Sequence, residues 1–377
     1  TAPSSGGRVM GAARKPLIAL AAGGTGGHVF PALAVAEALR GAGIDTLLMT
    51  DRRGARLVPP AGRTVLAAAS PFQRGLPRRA LALLKLGFGL SQALVLMLRR
   101  RPAAMVGFGG YPSFAPLLAA RLTGVPALLH EQNAFLGRAN NLLARWTGHL
   151  ALSWPDTANL PPAVTSFVSG MPVRSAFFAI APRSDRDSGT LSVTVIGGSL
   201  GAAVFADLVP AAVAALPEGL RSRLSVTQQC RAEQLDALTE TYAAIGVGAE
   251  IATFFDDMPA RFAAADLVIA RAGASTVAEL AAAGRPALLI PFAGAMDDHQ
   301  TANARQLESA GGGICLAEAG LDAADLAAVM ARLLGDTATC RAMGLAGRDI
   351  AAPNAAQAIA DHAMARAHLA PSDRRAA

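Results

Sequence analysis

Cysteine is scarce in this sequence: Cys230, Cys315 and Cys340 are the three in 377 residues. An odd number with no close pair argues against a disulfide framework and against a cysteine-ligated zinc site, and fits a reducing compartment. Aromatic residues reach only 5%, and no run interleaves them with Arg or Lys, so a nucleic-acid partner is not expected. Charged residues are also few, 16% against 52% hydrophobic, which excludes a solvated disordered polymer. The net charge of +7 then points to a phosphate-bearing ligand or an anionic membrane. The first fifteen residues carry Arg8, Arg14 and Lys15 but no long apolar core, and the apolar run at 17–22 is too short for a signal segment, so export is not expected.

One long apolar run is present. Residues 80–98 read ALALLKLGFGLSQALVLML, close to the ~20 residues of a membrane-spanning helix. Lys85, Ser91 and Gln92 interrupt it, and Arg74, Arg78 and Arg79 on one side and Arg99, Arg100 and Arg101 on the other flank it. A surface helix on anionic lipid and a buried crossover helix fit the same pattern.

Elsewhere the apolar runs are short. Those at 17–22, 45–50, 103–108, 126–130 and 149–153 read as buried parallel strands, and Ala/Leu-rich helical stretches lie between several of them. A polar stretch, FAIAPRSDRDSGT at 178–190, reads as a linker. The pattern then restarts with strands at 191–196, 224–228, 250–254, 267–270, 287–291 and 313–316. Each half opens with strand, glycine loop and helix, so the expected fold class is α/β, two Rossmann-like domains facing each other across a cleft. The expected boundaries are 16–177, a linker at 178–190, 191–350, and a last helix within 351–370 that belongs to either half.

Three glycine loops follow strands: GGTGGH at 23–28, GFGGY at 107–111 and GGSLGA at 197–202. Such loops let backbone amides and a helix N-terminus approach an anion. The first has Val29 where a dinucleotide fingerprint needs its third glycine, and no Walker lysine is present, so NAD and ATP lose ground. The third also satisfies G-x-S-x-G, which makes Ser199 the nucleophile of a rival α/β-hydrolase reading; that rival leaves the first half without a task. His28 either serves as a general base or hydrogen-bonds at a helix start. His130-Glu131-Gln132-Asn133 is a polar burst at a strand end that suits a sugar or peptide ligand, although Glu131 also suits a helix cap. Arg271 suits a phosphate or a base, and Glu279, about a turn into the next helix, suits the hydroxyls of a ribose. Asp297-Asp298 lacks a third ligand, so no metal is expected.

In order along the chain, GGTGGH, GFGGYPSFAP (107–116), HEQNAFLGRAN (130–140), GMPVR (170–174), GGSLGA, FFDDM (254–258), RAGASTVAEL (271–280) and DDHQTANA (297–304) resemble the MurG family of bacterial N-acetylglucosaminyltransferases. The resemblance implies a GT-B fold, inverting transfer without metal or other cofactor, UDP-GlcNAc as donor and lipid I as acceptor. It also implies a peripheral place on the cytoplasmic face of the bacterial plasma membrane. It places substrate contacts at Thr25, Gly26, Gly27, His28 and Asn133. Arg174 and Ser199 fall near the donor diphosphate and sugar, and Arg271, Ala274, Ser275, Thr276, Glu279, Gln300 and Asn303 line the donor pocket. His28 and Glu131 are the candidates to activate the acceptor hydroxyl. Met171 stands where the family pattern has Asn. A GT-B enzyme with another acceptor, or a sugar-nucleotide binding module without turnover, remains the alternative.

Overall fold

The apolar runs of the first half assemble into one parallel sheet. In the computed structural model, which describes residues 15–67, 76–182, 189–198, 203–295 and 298–369, with no side chains for 76–79, this sheet has seven strands. They are β1 (Leu17–Ala21), β2 (Asp45–Thr50), β3 (Arg63–Val65), β4 (Ala104–Gly107), β5 (Ala127–Glu131), β6 (His149–Leu152) and β7 (Thr165–Val168), in the order β3-β2-β1-β4-β5-β6-β7. The helices between them are α1 (Gly26–Gly41), α2 (Leu76–Arg100), α3 (Phe114–Leu122) and α4 (Arg138–Thr147).

A short helix, α5 (Ser175–Phe178), precedes a second sheet of β8 (Leu191–Ile196), β9 (Leu224–Gln229), β10 (Gly248–Ala252), β11 (Leu267–Ala270), β12 (Ala287–Leu289) and β13 (Gly313–Cys315). Its order is β10-β9-β8-β11-β12-β13, again all parallel. The accompanying helices are α6 (Phe205–Ala214), α7 (Glu218–Arg221), α8 (Leu235–Ile245), α9 (Met258–Ala264), α10 (Ala274–Ala283), α11 (His299–Ser309), α12 (Ala323–Leu334) and α13 (Thr337–Asp349).

In each sheet the strand order reverses beside the first strand, between β1 and β4 and between β8 and β11. Such a switch point opens a crevice at the carboxyl ends of the strands, and the glycine loops follow β1, β4 and β8 there.

Both faces of each sheet are covered, which is why the central strands read as unbroken apolar runs. Ile18, Leu20, Val106 and Leu128 pack with α1 on one face of the first sheet, and Ala19, Met105, Leu129 and Leu150 with Met97, Leu117 and Leu143 on the other. The last helix, α14 (Ala355–Arg366), returns to the first half. Its Ile359, Ala360, Ala363 and Met364 are buried in the cluster that holds Ile18 and Val35. Burying one such Ile or Met contributes about 1.5–3 kcal/mol, so the chain end is part of the first core.

The stretch at 178–190 is anchored where it begins: Phe177 and Ile180 are buried with Phe262 and Leu280 of the second half. Arg285 donates to the carbonyls of Phe262, Ala263 and Ala181, and Arg348 to that of Ile180.

Three differences from the sequence reading have simple causes. Strands β3 and β7 are sheet edges of three and four residues with exposed positions, so no apolar run marks them. Strand β10, expected at 250–254, pairs with β9 two residues earlier, and its edge position leaves Gly248, Ala249 and Glu250 exposed. Helix α2 is the crossover from β3 to β4 within one sheet, which rules out the spanning reading of residues 80–98. Its Ala82, Ala93 and Met97 are buried, and the Gln92 side chain accepts the Ala67 amide at 2.9 Å, so the polar interruption of the run holds the end of β3.

Candidate active site

The first glycine loop is shaped by a carboxylate from the neighbouring strand end. Asp51 Oδ1, just past β2, accepts from the amides of Gly24 and Gly54 at 2.9 Å each. Gly24 takes φ +83°, a left-handed conformation open to glycine without strain. The loop turns directly into α1, with Thr25 at the N-cap and Gly26, Gly27 and His28 in the first turn. The leading amides of a helix have no partner within it and carry partial positive charge. His28 leans toward the second loop, where a Cβ on Gly110 would lie 3.2 Å from its ring and press on it, and where φ +71° favours glycine.

The polar burst at the end of β5 is almost entirely enclosed. Glu131, 1% exposed, accepts from the Asn133 amide and side chain at 2.9 and 3.0 Å through Oε1, and from Asn140 at 2.7 Å through Oε2. Burial pushes its carboxyl up, against the pull of those donors. Both oxygens of Glu131 are thus turned to the loop that they shape. His130 is fully buried, and burial takes its pKa down to about 4. Gln132, 2% exposed, lies between the rings of His28 and His130, at 3.2 and 3.1 Å. Burial also lowers the pKa of His28, opposed by hydrogen bonds to Gln132 and the Phe108 carbonyl and assisted by His299, which favours the neutral ring.

Three polar bridges cross the cleft. Ser275, in the first turn of α10, donates to the Gly27 carbonyl at 3.3 Å, so the N-termini of α1 and α10 meet. Asn303 on α11, fully buried, donates to Asn133 Oδ1 at 3.1 Å and to the Ala272 carbonyl at 3.2 Å, and accepts the Ala134 amide at 2.9 Å. Arg174 reaches Glu279 on α10 at 3.3 Å and lies over the rings of Phe30 and Phe177, 4.8 and 4.9 Å from their centroids. Burial raises the Glu279 carboxyl to about 7, with the Arg174 charge and hydrogen bond opposing it.

The second half completes the site. Ala274, Ser275 and Thr276 form the first turn of α10 behind Gly273, with no side chain capping its amides. Arg271 is tied into the second half. Its guanidinium is held by Glu318 at 2.6 Å and by the carbonyls of Ile290 and Pro291, and it lies between the rings of Phe205 and Phe292. At 8% exposure it braces the loop after β12. Gln300 supports the same loop by accepting the Phe292 amide at 3.0 Å. Met171 is buried with Sδ 3.4 Å from Ser153 Oγ. Ser199 and Asp297 lie outside the described residues. Among the described residues no three His, Cys, Asp or Glu side chains converge.

Two family models match this chain: the glycosyltransferase family 28 N-terminal domain over residues 18–151 and the C-terminal domain over residues 192–359. The chain belongs to glycosyltransferase family 28. Its relatives in that family include a protein of Granulibacter bethesdensis, 49% identical over 336 residues covering 87% of each chain. Another, from Paramagnetospirillum magneticum, is 44% identical over 356 residues, 92% of this chain and 96% of the relative. Both are named UDP-N-acetylglucosamine–N-acetylmuramyl-(pentapeptide) pyrophosphoryl-undecaprenol N-acetylglucosamine transferase. Among solved structures, MurG of Acinetobacter baumannii superposes with a TM-score of 0.74 at 31% identity, covering 93% of this chain and 99% of that one. The two-domain parallel architecture of this family 28 glycosyltransferase is thus the GT-B fold.

The sequence reading of this family 28 site missed the residues that hold others in place. Asp51 carries a readable signal, a carboxylate where an apolar strand stops opposite a glycine loop. Gln132 lies inside a noticed motif without a role. Glu318 and Phe292 carry none, because their contacts to Arg271 span 47 and 21 positions.

Proposed function

We propose that the protein transfers N-acetylglucosamine from UDP-N-acetylglucosamine to the lipid-linked muramyl-pentapeptide named for its relatives, forming lipid II for peptidoglycan. The observation that carries this reading is 49% identity over 87% of a chain named for that reaction. The geometry supports it. A nucleotide diphosphate fits the N-terminal turn of α10, where helix-end amides offset the charge of a departing UDP. Glu279, one turn on, suits the ribose hydroxyls. Across the cleft, His28 suits the acceptor: its ring takes the proton of the attacking hydroxyl as the new bond forms at the anomeric carbon and the bond from that carbon to the diphosphate oxygen breaks. Attack from the face opposite UDP inverts that carbon.

The acceptor lipid stays in its bilayer, so the enzyme must dock there. Helix α2 supports this with two apolar stripes. One is packed on the sheet, and Leu81, Leu84, Phe88, Val95 and Leu98 form the other at helical spacing, 45–72% exposed. A surface helix of a soluble protein turns a polar face outward. Lys85 and Arg99–Arg101 border this stripe and suit anionic headgroups, at ~1 kcal/mol each. Arg74 lies outside the described residues, as do the side chains of Leu76, Arg78 and Arg79. We place the protein peripherally on the cytoplasmic face.

The test is release of UDP from UDP-N-acetylglucosamine with lipid I or a short-chain analogue. Turnover that requires this acceptor is expected. UDP-sugar binding without turnover would leave a binding module, and turnover on an unrelated acceptor would leave a different GT-B transferase.

A further inference from the structure

The enclosed amide of Gln132 occupies the space between two imidazoles, and its surroundings fix which way it points. The Phe108 carbonyl lies 2.8 Å from Gln132 Nε2 and can only accept, so the amide nitrogen faces it. The amide oxygen is thereby turned to His28 Nδ1 at 3.2 Å, and an amide oxygen can only accept as well. The proton of a neutral His28 ring therefore stands on Nδ1 and the lone pair on Nε2. The same amide nitrogen donates to His130 Nδ1 at 3.1 Å, which puts the His130 proton on Nε2, 3.3 Å from the Gly170 carbonyl. The remaining contacts, the His130 carbonyl 3.3 Å from the amide nitrogen and Ser153 Oγ 3.2 Å from His130 Nε2, are compatible with the same His28 tautomer. Gly170 lies in the segment through which the chain leaves the first sheet for Arg174, so this chain of hydrogen bonds runs from the cleft to the interdomain crossing.

We propose that Gln132 is a positioning residue that holds the His28 proton on Nδ1 and so presents Nε2 as the proton acceptor toward the substrate cleft. The proposal deepens the transferase reading and rests on its assignment of His28 as the base. It gives an enclosed glutamine the role that a carboxylate plays beside the histidine of a catalytic triad, without the carboxylate's charge. An uncharged orienter suits this place: the titratable groups facing His28 are His130 and His299, and a neutral amide adds no attraction for a second proton on the ring.

The experiment is nitrogen NMR of the intact protein labelled at histidine, with His28 identified by loss of its signals in His28→Gln. At pH 7.5 the expected pattern is a protonated Nδ1 and a bare Nε2. In Gln132→Met, which keeps the volume and removes both polar atoms, this pattern should be lost. kcat should fall by about tenfold or more while KM for UDP-N-acetylglucosamine changes less than about threefold, a fraction of the 10²–10⁴ that a general base contributes. In Gln132→Glu an acceptor still faces Nδ1, so the Nδ1-protonated form should persist, kcat should exceed that of Gln132→Met, and the acid limb of the pH–rate profile should move to higher pH. A proton on Nε2 in the unaltered protein overturns the proposal, as does a Gln132→Met enzyme with normal kcat; if that variant does not fold, the spectrum of the unaltered protein decides alone. Full turnover by His28→Ala would instead overturn the assignment of His28 as base, whatever Gln132 does.

Discussion

Glu279 offers the sharpest test of the donor site, because its environment works against its charge. The carboxyl is largely enclosed on α10, and burial raises it to about 7 despite Arg174 at 3.3 Å. Near pH 7 it is therefore about half protonated in the free protein. Ribose hydroxyls that donate to it favour the ionised form, so UDP binding at pH 7 should release about half a proton, falling toward none by pH 9. Calorimetry in buffers of different ionisation heat measures this directly. Glu279→Gln keeps one acceptor and removes the charge, so UDP should bind about 1.5–3 kcal/mol more weakly, roughly 10–150-fold, with the proton release gone. Stability should move the other way. A carboxyl whose folded pKa lies above the unfolded 4.5 contributes most below pH 4.5 and costs the fold stability as pH rises through about 7. At pH 8 that cost is about 3 kcal/mol, the attraction of Arg174 being already included in it. The Gln variant should then match or exceed the Tm of the unaltered protein at pH 8, by about 2 °C per kcal/mol recovered. Unchanged UDP affinity, or proton release that persists in the variant, would refute the ribose assignment; a Tm several degrees lower would refute the account of its charge.

Three further outcomes follow from the same geometry. His28→Ala should lower turnover by ~10²–10⁴-fold with UDP affinity nearly intact, and a loss below tenfold would leave the ring a loop element. Leu84→Glu with Phe88→Glu, both at exposed positions, should abolish flotation with anionic vesicles at low salt while leaving Tm and UDP affinity unchanged; undiminished flotation would remove α2 as the docking surface. Burial lowers the pKa of His149 and His362, and takes that of His130 down to about 4, so their neutral forms favour the fold. Their contribution is complete above the unfolded value of about 6.5 and is lost as pH falls from there toward 4. Glu279 and Glu131, both raised by burial, work the other way, so the effect is read on one residue: His130→Gln should raise the urea midpoint at pH 5 relative to that at pH 8, compared with the unaltered protein, and an unchanged difference would refute this.

The sheets were legible because parallel strands covered on both faces leave continuous apolar runs, and β2, β8 and β11 begin and end where the residues suggest. The edge strands β3 and β7 were not, since a short strand with solvent on one side needs no apolar pattern. The glycine loops stood out because their conformation demands a rare residue. What those loops lean on did not: Asp51 and Gln132 are ordinary polar residues until the strands bring them together, and the Arg271–Glu318 pair joins residues 47 positions apart. Arg271 is a different case. An Arg beside a glycine-rich helix start suggests a phosphate ligand, and the sequence carries no sign of the Glu318 carboxylate and two carbonyls that its guanidinium meets in the fold.

Internal partners of this kind recur throughout the cleft. Ser275, Glu279, Arg174, Asn133 and Asn303 suggest ligand contacts because they are polar groups at strand and helix ends, and in the structure they bond to the opposite half. The two facts share a cause. A polar group enclosed in a cleft costs about 1–3 kcal/mol if it has no partner, so a site rich in donors and acceptors must let them satisfy one another. A substrate entering such a site exchanges one set of hydrogen bonds for another instead of stripping water from bare groups. The affinity it gains is then the difference between its contacts and the interdomain ones. Under the proposed ribose assignment, Glu279 would give up a single bond to Arg174 at 3.3 Å, longer than a well-formed charged pair, for two hydroxyl donors, and the freed Arg174 would offer its positive charge to a diphosphate. Asn303, with three hydrogen bonds of 2.9–3.2 Å that tie the loop after β5 to the loop after β11, has no such surplus to gain.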